Sequence, residues 1–179
     1  MTRVLVTGLE PFGENAVNPS ALIAEALEGV VLPISFARAS GALRDAIAER
    51  DPELVVCFGL ADGDTAISIE RFARNLDQAD VVDNEGARGS GSTIDPDGPL
   101  ARPSSLPVDE IVAALRAEDI PAVVSRDAGG ALCNHVFYVL MGMLGPGQRG
   151  GFVHVPGLDI LPLETQIRAA RTILAVAST

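Results

Sequence analysis

Cysteine and histidine are scarce in this chain, and one cysteine lies where a nucleophile is expected. Cys133 follows a glycine pair and opens the apolar run LCNHVFYVLMGML, which is typical of a helix, and the strand pattern AVVS precedes it. The first turn of a helix lies at the positive end of the helix dipole, which lowers a thiol pKa. Free N–H groups of that turn can also bind a developing oxyanion. Because free cysteines often fill cores, two interpretations stay open: a nucleophile or a packed residue.

A thiol nucleophile needs a base, and the chain offers only two histidines. His135 lies two residues after Cys133, so on a helix it points to a different side, and we expect it to be packed or capped. His154 ends the apolar strand pattern GFVHV, just before a Pro-Gly turn. Active sites of α/β proteins collect at the carboxyl ends of strands. His154 is therefore the predicted base.

The third member of such a site is a carboxylate that orients the imidazole. Glu70 falls in the otherwise apolar strand pattern AISIERFA, and a buried carboxylate requires a partner. That partner is either the predicted base or the adjacent Arg71. The residues alone leave both open.

Composition narrows the class of protein. The formal net charge of −11 argues against a nucleic-acid partner, whose phosphates would repel the chain. No CxxC or HxxxH spacing occurs, so we expect no metal site. No apolar run is long enough for a bilayer and no signal-peptide pattern opens the chain. We therefore expect a cytoplasmic protein with no membrane partner and, with Cys57 far from Cys133, no structural disulfide.

Strand and helix patterns alternate along the chain and predict one α/β domain over residues 1–179. Several strands are apolar at consecutive positions, as in a sheet covered on both faces. The predicted strands are Arg3–Thr7, Val30–Ala39, Leu54–Gly59, Ala66–Ala73, Ala122–Ser125 and Gly151–Val155. The predicted helices begin after Asn18, at Ala42, at Val108, near Gly130 and at Leu163.

The segment 74–107 fits neither pattern. It is rich in Asp, Gly, Ser and Pro, and a long loop of this kind inside a compact domain is usually functional or disordered. We therefore predict a long loop within the single domain, with flexibility as one of the two possibilities.

Several motifs together resemble the pyrrolidone-carboxylate peptidases, also called pyroglutamyl peptidases type I, a family of cysteine exopeptidases. They are VLVTGLEPFG followed by NPS, ISIERFARN, DNEG, SRDAGGALCN and HVP, in that order along nearly the whole chain. ISIER is similar to the family's glutamate signature and AGGALCN to its cysteine signature. The resemblance implies Cys133 as nucleophile, His154 as base and Glu70 as the orienting acid.

The resemblance also implies a fold and a reaction. The fold is a twisted, mostly parallel sheet sandwiched between helices, similar to those of phosphorylases and hydrolases, in a cytosolic homo-oligomer (dimer or tetramer). The reaction is removal of an N-terminal pyroglutamyl (5-oxoprolyl) residue from a peptide through a thioester, without a cofactor. Leu9 and Phe12 occupy the positions that hold the ring in relatives, and Asn18 supports their loop.

The chain departs from the family around these positions. Leu9 stands where the family commonly has Phe. The stretch GLADGD replaces GQAGGR, which puts Leu60 and Asp64 in place of a Gln and a cation. Asp127 and Ala131 occupy the turn before the cysteine, where small polar and aromatic residues are usual.

These departures leave three readings of function open. The chain cleaves the same substrate more slowly, it cleaves a different small acyl amide or lactam, or it is a non-catalytic binding relative. Leu60 and Leu132 are further predicted substrate-binding residues. The chain also carries additional acidic residues near these positions, Asp62, Asp64 and Asp127. They either repel an acidic substrate group or attract a cationic one, or they are solvated loop charges.

Overall fold

A six-stranded sheet forms the centre of the computed structural model, which describes residues 2–78, 82–89, 91–129 and 131–179. Its strands are β1 (Val4–Leu9), β2 (Val30–Leu32), β3 (Leu54–Leu60), β4 (Ile67–Glu70), β7 (Ala122–Ser125) and β8 (Arg149–Val155). Their order is β2-β1-β3-β8-β4-β7. Only the β4–β8 pair is antiparallel, so the predicted mostly parallel sheet is confirmed.

In the described parts of the chain, five helices cover both faces of the sheet. They are α1 (Pro19–Ala26), α2 (Ala39–Arg50), α3 (Val108–Ala117), α4 (Leu132–Met143) and α5 (Leu163–Ala177). Helices α1, α3 and α5 share one apolar core with one face, and α2 and α4 share a second core with the other. Across the described ranges, none of these helices has both the length and the apolar character needed to cross a bilayer.

The first helix begins as the sequence predicts. The Asn18 side chain accepts the Ser20 N–H at 3.0 Å, and Pro19 fills the first helical position. Proline suits this position because its missing N–H would have no intrahelical partner. This cap fixes the start of α1 at the carboxyl end of β1, beside the loop of residues 10–18.

The strand predicted over Val30–Ala39 is wrong beyond Leu32. Pro33 has no N–H for the ladder, and Ser35 O accepts the N–H groups of Arg38 and Ala39 instead. The chain therefore turns, and α2 begins at Ala39 rather than at Ala42.

The single strand predicted over Ala66–Ala73 is two strands. The Arg71 N–H binds Ser125 O while Arg71 O accepts the Ser104 N–H, so the chain changes partners at this residue. Beyond it β5 (Phe72–Arg74) pairs antiparallel with β6 (Ala101–Pro103) in a separate two-stranded sheet. Glu70 is consequently the last residue of β4.

The segment 74–107 carries β6 and is fastened to α4 at several points. Tyr138 donates its hydroxyl to Pro99 O at 2.7 Å, and the Arg102 guanidinium lies 4.0 Å from the centre of the Tyr138 ring. Arg102 also pairs with Asp95 at 2.9 Å. Residues 79–81 and 90 lie outside the described ranges, and flexibility of the segment stays a prediction. Its described contacts hold the helix that carries Cys133.

Candidate active site

Cys133 lies in the first turn of α4, as the sequence predicts. The helix begins after Ala131, which is extended and provides no side-chain cap. The N–H groups of a first turn have no partner within the helix, so here they stay available to an acyl oxygen. The thiol is partly exposed, unlike the second cysteine, Cys57, which is buried in β3.

Gly59 of β3 creates the space into which the Cys133 thiol fits. A Cβ atom on Gly59 would lie 2.8 Å from Cys133 Sγ and 2.7 Å from Cζ of Phe152. Real Cβ atoms do not approach other atoms so closely, so the sulfur occupies the volume that a side chain would fill. Gly59 is also the register partner of His154 across the β3–β8 ladder. Gly59 therefore lies next to both Cys133 and His154.

His154 Nδ1 and Glu70 Oε1 lie 2.7 Å apart in a buried hydrogen bond. The β4–β8 register explains the pairing: Ser68 lies opposite His154, and Glu70, two residues further along, lies diagonally on the same face. Glu70 is 2% exposed, and its second oxygen has no hydrogen-bond partner among the described residues. Arg71, the other partner considered for Glu70, pairs with Asp109 at 2.7 Å.

Opposing influences act on the pKa of His154. Burial lowers the pKa. The charge of Cys133 and its hydrogen bond to the imidazole raise the pKa most, and the hydrogen bond and charge of Glu70 raise it further, to about 10. His154 therefore carries its proton at neutral pH. An imidazolium beside a thiol favours the thiolate, the reactive form of cysteine.

Asn134 anchors the turn that carries the nucleophile, and the sequence reasoning missed it. Its side chain is fully buried. It accepts the Arg74 N–H at 2.8 Å and donates to Arg74 O and Leu76 O at 2.9 and 3.0 Å. The available signal was a polar residue directly after the cysteine in an apolar helix. Asn134 thus joins α4 to the chain just beyond β5.

His135 lies away from this site, as predicted. Its Nδ1 is 2.9 Å from an Asp77 carboxylate oxygen, its Nε2 is 2.9 Å from Ser40 Oγ, and its ring contacts Phe36 edge to face. These contacts tie α4 to α2 and to the segment after β5. Among the described residues, no group of three His, Cys, Asp or Glu side chains is arranged to hold a metal ion.

A cavity of about 80 Å³, here called the acyl cavity, opens beside Cys133. Two predicted substrate-binding residues, Phe12 and Leu132, line it together with the thiol. The other wall residues are Ile34, Phe36, Val82, Asp83 and Ala131. The structure therefore brings Phe12 and Leu132 to the nucleophile.

The remaining predicted substrate-binding residues lie elsewhere. Leu9 is 1% exposed and packs in the core beneath α2 and α4 rather than in the cavity wall. Asn18 is buried: it caps α1 and donates to Glu10 O at 3.0 Å, which holds the loop that carries Phe12. Leu60 lines a different groove, beside Asn15. Substrate contact by these three residues stays a prediction.

Among the described residues that line the acyl cavity, Asp83 is the one that carries a charge. Its carboxylate accepts the N–H groups of Phe36, Glu85 and Ala87 at 2.8–2.9 Å. Burial raises its pKa, but these backbone hydrogen bonds and the charge of Arg38 outweigh burial and hold the pKa below its usual value. These hydrogen bonds hold the carboxylate in place, and the described part of the wall is otherwise uncharged.

Comparison with known proteins identifies the family. A family model described as pyroglutamyl peptidase matches residues 2–169. The chain belongs to the pyroglutamyl peptidase family. The pyrrolidone-carboxylate peptidase of Streptomyces coelicolor is 40% identical over 200 aligned positions, covering 99% of this chain and 93% of that protein. The one from Gloeobacter violaceus is 41% identical over 196 positions, covering 97% and 96%.

Solved structures of the pyroglutamyl peptidase family agree with the fold. Pyroglutamyl peptidase I from Bacillus amyloliquefaciens matches with a TM-score of 0.95 at 34% identity, covering 99% of this chain and 95% of that chain. Pyrrolidone carboxyl peptidase from Thermococcus litoralis gives 0.94 at 34% identity, covering 99% and 94%. The resemblance found in the motifs is therefore confirmed, as is the predicted fold.

The departures from the family pattern are spread over different environments in this pyroglutamyl peptidase family member. Asp127 pairs with Arg74 at 2.9 Å, and Asp64 accepts the Ser68 hydroxyl at 3.3 Å. Ala131 lies in the wall of the acyl cavity. Asp62 is exposed and lines the same groove as Leu60.

Proposed function

We propose that this chain is a cysteine exopeptidase that removes an N-terminal pyroglutamyl residue from peptides through a thioester on Cys133. The proposal rests on two features that lie side by side in the structure. A Cys133–His154–Glu70 constellation lies beside a largely apolar cavity, and Asp83, the carboxylate among its described wall residues, is hydrogen-bonded to backbone N–H groups. A pyroglutamyl residue is a neutral lactam with no free α-amine, so it suits an apolar cavity of this kind.

The site supports acylation with the proton already on His154. The Cys133 thiolate attacks the carbonyl carbon between the lactam ring and the peptide, and the new C–S bond places negative charge on the carbonyl oxygen. The first-turn N–H groups of α4 are positioned to stabilise that charge. When the C–N bond breaks, His154 gives its proton to the departing amine. The products are a thioester and a peptide shortened by one residue.

Deacylation restores the starting state. His154, now neutral, accepts a proton from a water molecule that attacks the thioester carbonyl. The C–S bond breaks, pyroglutamate leaves, and the sulfur departs as the thiolate beside the re-formed imidazolium. Glu70 acts through His154: its hydrogen bond to Nδ1 fixes the ring so that Nε2 faces the sulfur.

Release of aminomethylcoumarin from its pyroglutamyl amide tests the proposal. We expect turnover by the wild type, none by Cys133→Ser, and turnover by Cys57→Ala, which removes the other thiol. Turnover by Cys133→Ser would contradict the thiol mechanism. If the wild type is inactive, its reaction with iodoacetamide near neutral pH separates the alternatives. Fast alkylation of Cys133 indicates a hydrolase for another small acyl amide, and an inert thiol indicates a binding relative.

A dimeric or tetrameric assembly and a cytoplasmic location stay predictions. Light scattering on the purified protein measures the first. The substrate in this proposal is any peptide with a pyroglutamyl N-terminus that reaches the site.

A further inference from the structure

A second groove lies at the carboxyl end of the sheet, next to the reacting groups but separate from the acyl cavity. Its volume is about 170 Å³, and its walls include Asn15, Val17, Leu60, Asp62, Leu158 and Asp159. Leu60 is the last residue of β3, and the others come from the loops that follow β1, β3 and β8. We call it the leaving-side groove.

The groove and the reaction centre are built by adjacent residues of the same strands and loop. Leu60 directly follows Gly59, which lies against the Cys133 sulfur and pairs with His154. Leu60 pairs with Val155, the residue after His154. The loop that carries Phe12 in the acyl cavity folds back through a hydrogen bond from Asn15 N–H to Phe12 O at 3.1 Å. One loop therefore borders both spaces.

The groove combines exposed apolar side chains with unpaired acids. Val17 is 49% and Leu158 37% exposed, so both offer accessible aliphatic surface to a ligand. Asp62 and Asp159 are exposed, and within the described part of the chain neither forms a hydrogen bond or an ion pair. The described residues that line the groove include no Arg. A ligand with an aliphatic stem and a cationic end matches both features.

We infer that the leaving-side groove binds the residue that follows the pyroglutamyl group and favours lysine or arginine there. This rests on the proposed function, because the pyroglutamyl ring must occupy the acyl cavity for the next residue to reach the groove. The aliphatic stem of the substrate lies against Val17 and Leu158. Its cationic end lies near the carboxylates of Asp62 and Asp159.

The experiment compares kcat/KM for three peptides, pyroglutamyl-X-alanine amide, in which X is lysine, norleucine or glutamate. Norleucine has the lysine stem without its charge, so it separates apolar contact from ion pairing. Exposed ion pairs contribute little each, so we expect lysine to exceed norleucine by roughly threefold to tenfold and glutamate to be the poorest. Raising the salt from about 0.05 M to about 1 M should reduce the lysine preference.

The double variant Asp62→Asn/Asp159→Asn should bring the lysine-to-norleucine ratio close to one. Asp45→Asn removes an exposed carboxylate from α2, outside the groove, and should leave the ratio unchanged. Equal rates for the three peptides with wild type, or a ratio that survives the double substitution, would overturn the inference while the proposed function stands. If the wild type cleaves none of the peptides, the proposed function fails and the inference fails with it.

Discussion

Replacing Glu70 by glutamine isolates the electrostatic part of the proposed mechanism. The two side chains have nearly the same shape, and Gln Oε1 can still accept the His154 Nδ1–H. The substitution removes a buried negative charge 2.7 Å from the imidazole. Because Glu70 is 2% exposed, solvent does not screen this charge.

The size of the effect follows from that one contact. Gln keeps the hydrogen bond but loses the charge. A hydrogen bond to a charged group exceeds a neutral one by about 1–1.5 kcal/mol, which corresponds to roughly a fivefold to tenfold loss of kcat/KM. The pKa of His154 must also fall. Burial lowers it, Cys133 raises it most, and Glu70 supplies the remaining increase. Without the Glu70 charge, the imidazolium loses its proton at a lower pH.

The assay is the pH dependence of kcat/KM for pyroglutamyl aminomethylcoumarin. The wild type should keep its activity in mildly alkaline solution and lose it as the pH passes about 10, where His154 loses the proton it gives to the amine. In Glu70→Gln this alkaline limb should move down by about one pH unit. Glu49→Gln, an exposed residue of α2, makes the same chemical change away from the site and should do neither.

The position of the limb separates catalysis from folding. Loss of folded protein lowers every point of the profile in proportion and leaves the limb in place. A Glu70→Gln protein with the wild-type limb and kcat/KM within about twofold of the wild type would refute the assigned role of the carboxylate. Such a result would mean that the charge of Glu70 has no effect on the proton affinity of His154.

Three further results are expected. Gly59→Ala should lower kcat/KM by roughly tenfold or more, because its Cβ would lie 2.8 Å from Cys133 Sγ. Gly41→Ala is the control, since a Cβ there has nothing within 4 Å. Equal activity of the two variants would contradict the close fit of the thiol against Gly59. In native protein at neutral pH, iodoacetamide should label one thiol per chain by mass spectrometry, since burial raises the pKa of Cys57 to about 12; two labels would show that its burial is wrong. Asn134→Ala should lower the free energy of unfolding in urea by about 3 kcal/mol, because it leaves buried backbone groups unpaired, and an unchanged unfolding midpoint would contradict that anchoring.

Local patterns predicted the parts of the fold that depend on neighbouring residues. Cys133 at a helix start and His154 at a strand end follow from the switch between apolar runs and turns. The start of a helix directly after Asn18 follows from the types of Asn18 and of the proline after it. The break at Arg71 was missed because it depends on Ser125 and Ser104, which are distant in sequence.

Side-chain destinations were harder to predict because they depend on register. Leu9 belongs to the same sequence motif as Phe12, yet its side chain points into the core because alternate residues of a strand face opposite sides. Leu60 leaves β3 toward the second groove for the same reason. No local pattern states which strands are neighbours, so the sequence alone left the partner of Glu70 undecided. The antiparallel β4–β8 register determines it.

The register around His154 also explains why its two neighbours in the sheet are small. His154 on β8 lies opposite Gly59 of β3 on one side and opposite Ser68 of β4 on the other. The missing side chain of Gly59 admits the sulfur that arrives from α4. The short side chain of Ser68 leaves the imidazole free to reach Glu70 diagonally. A larger residue at either position would separate His154 from one of its partners, so the site depends on these two small residues as directly as on the three side chains that carry the proposed chemistry.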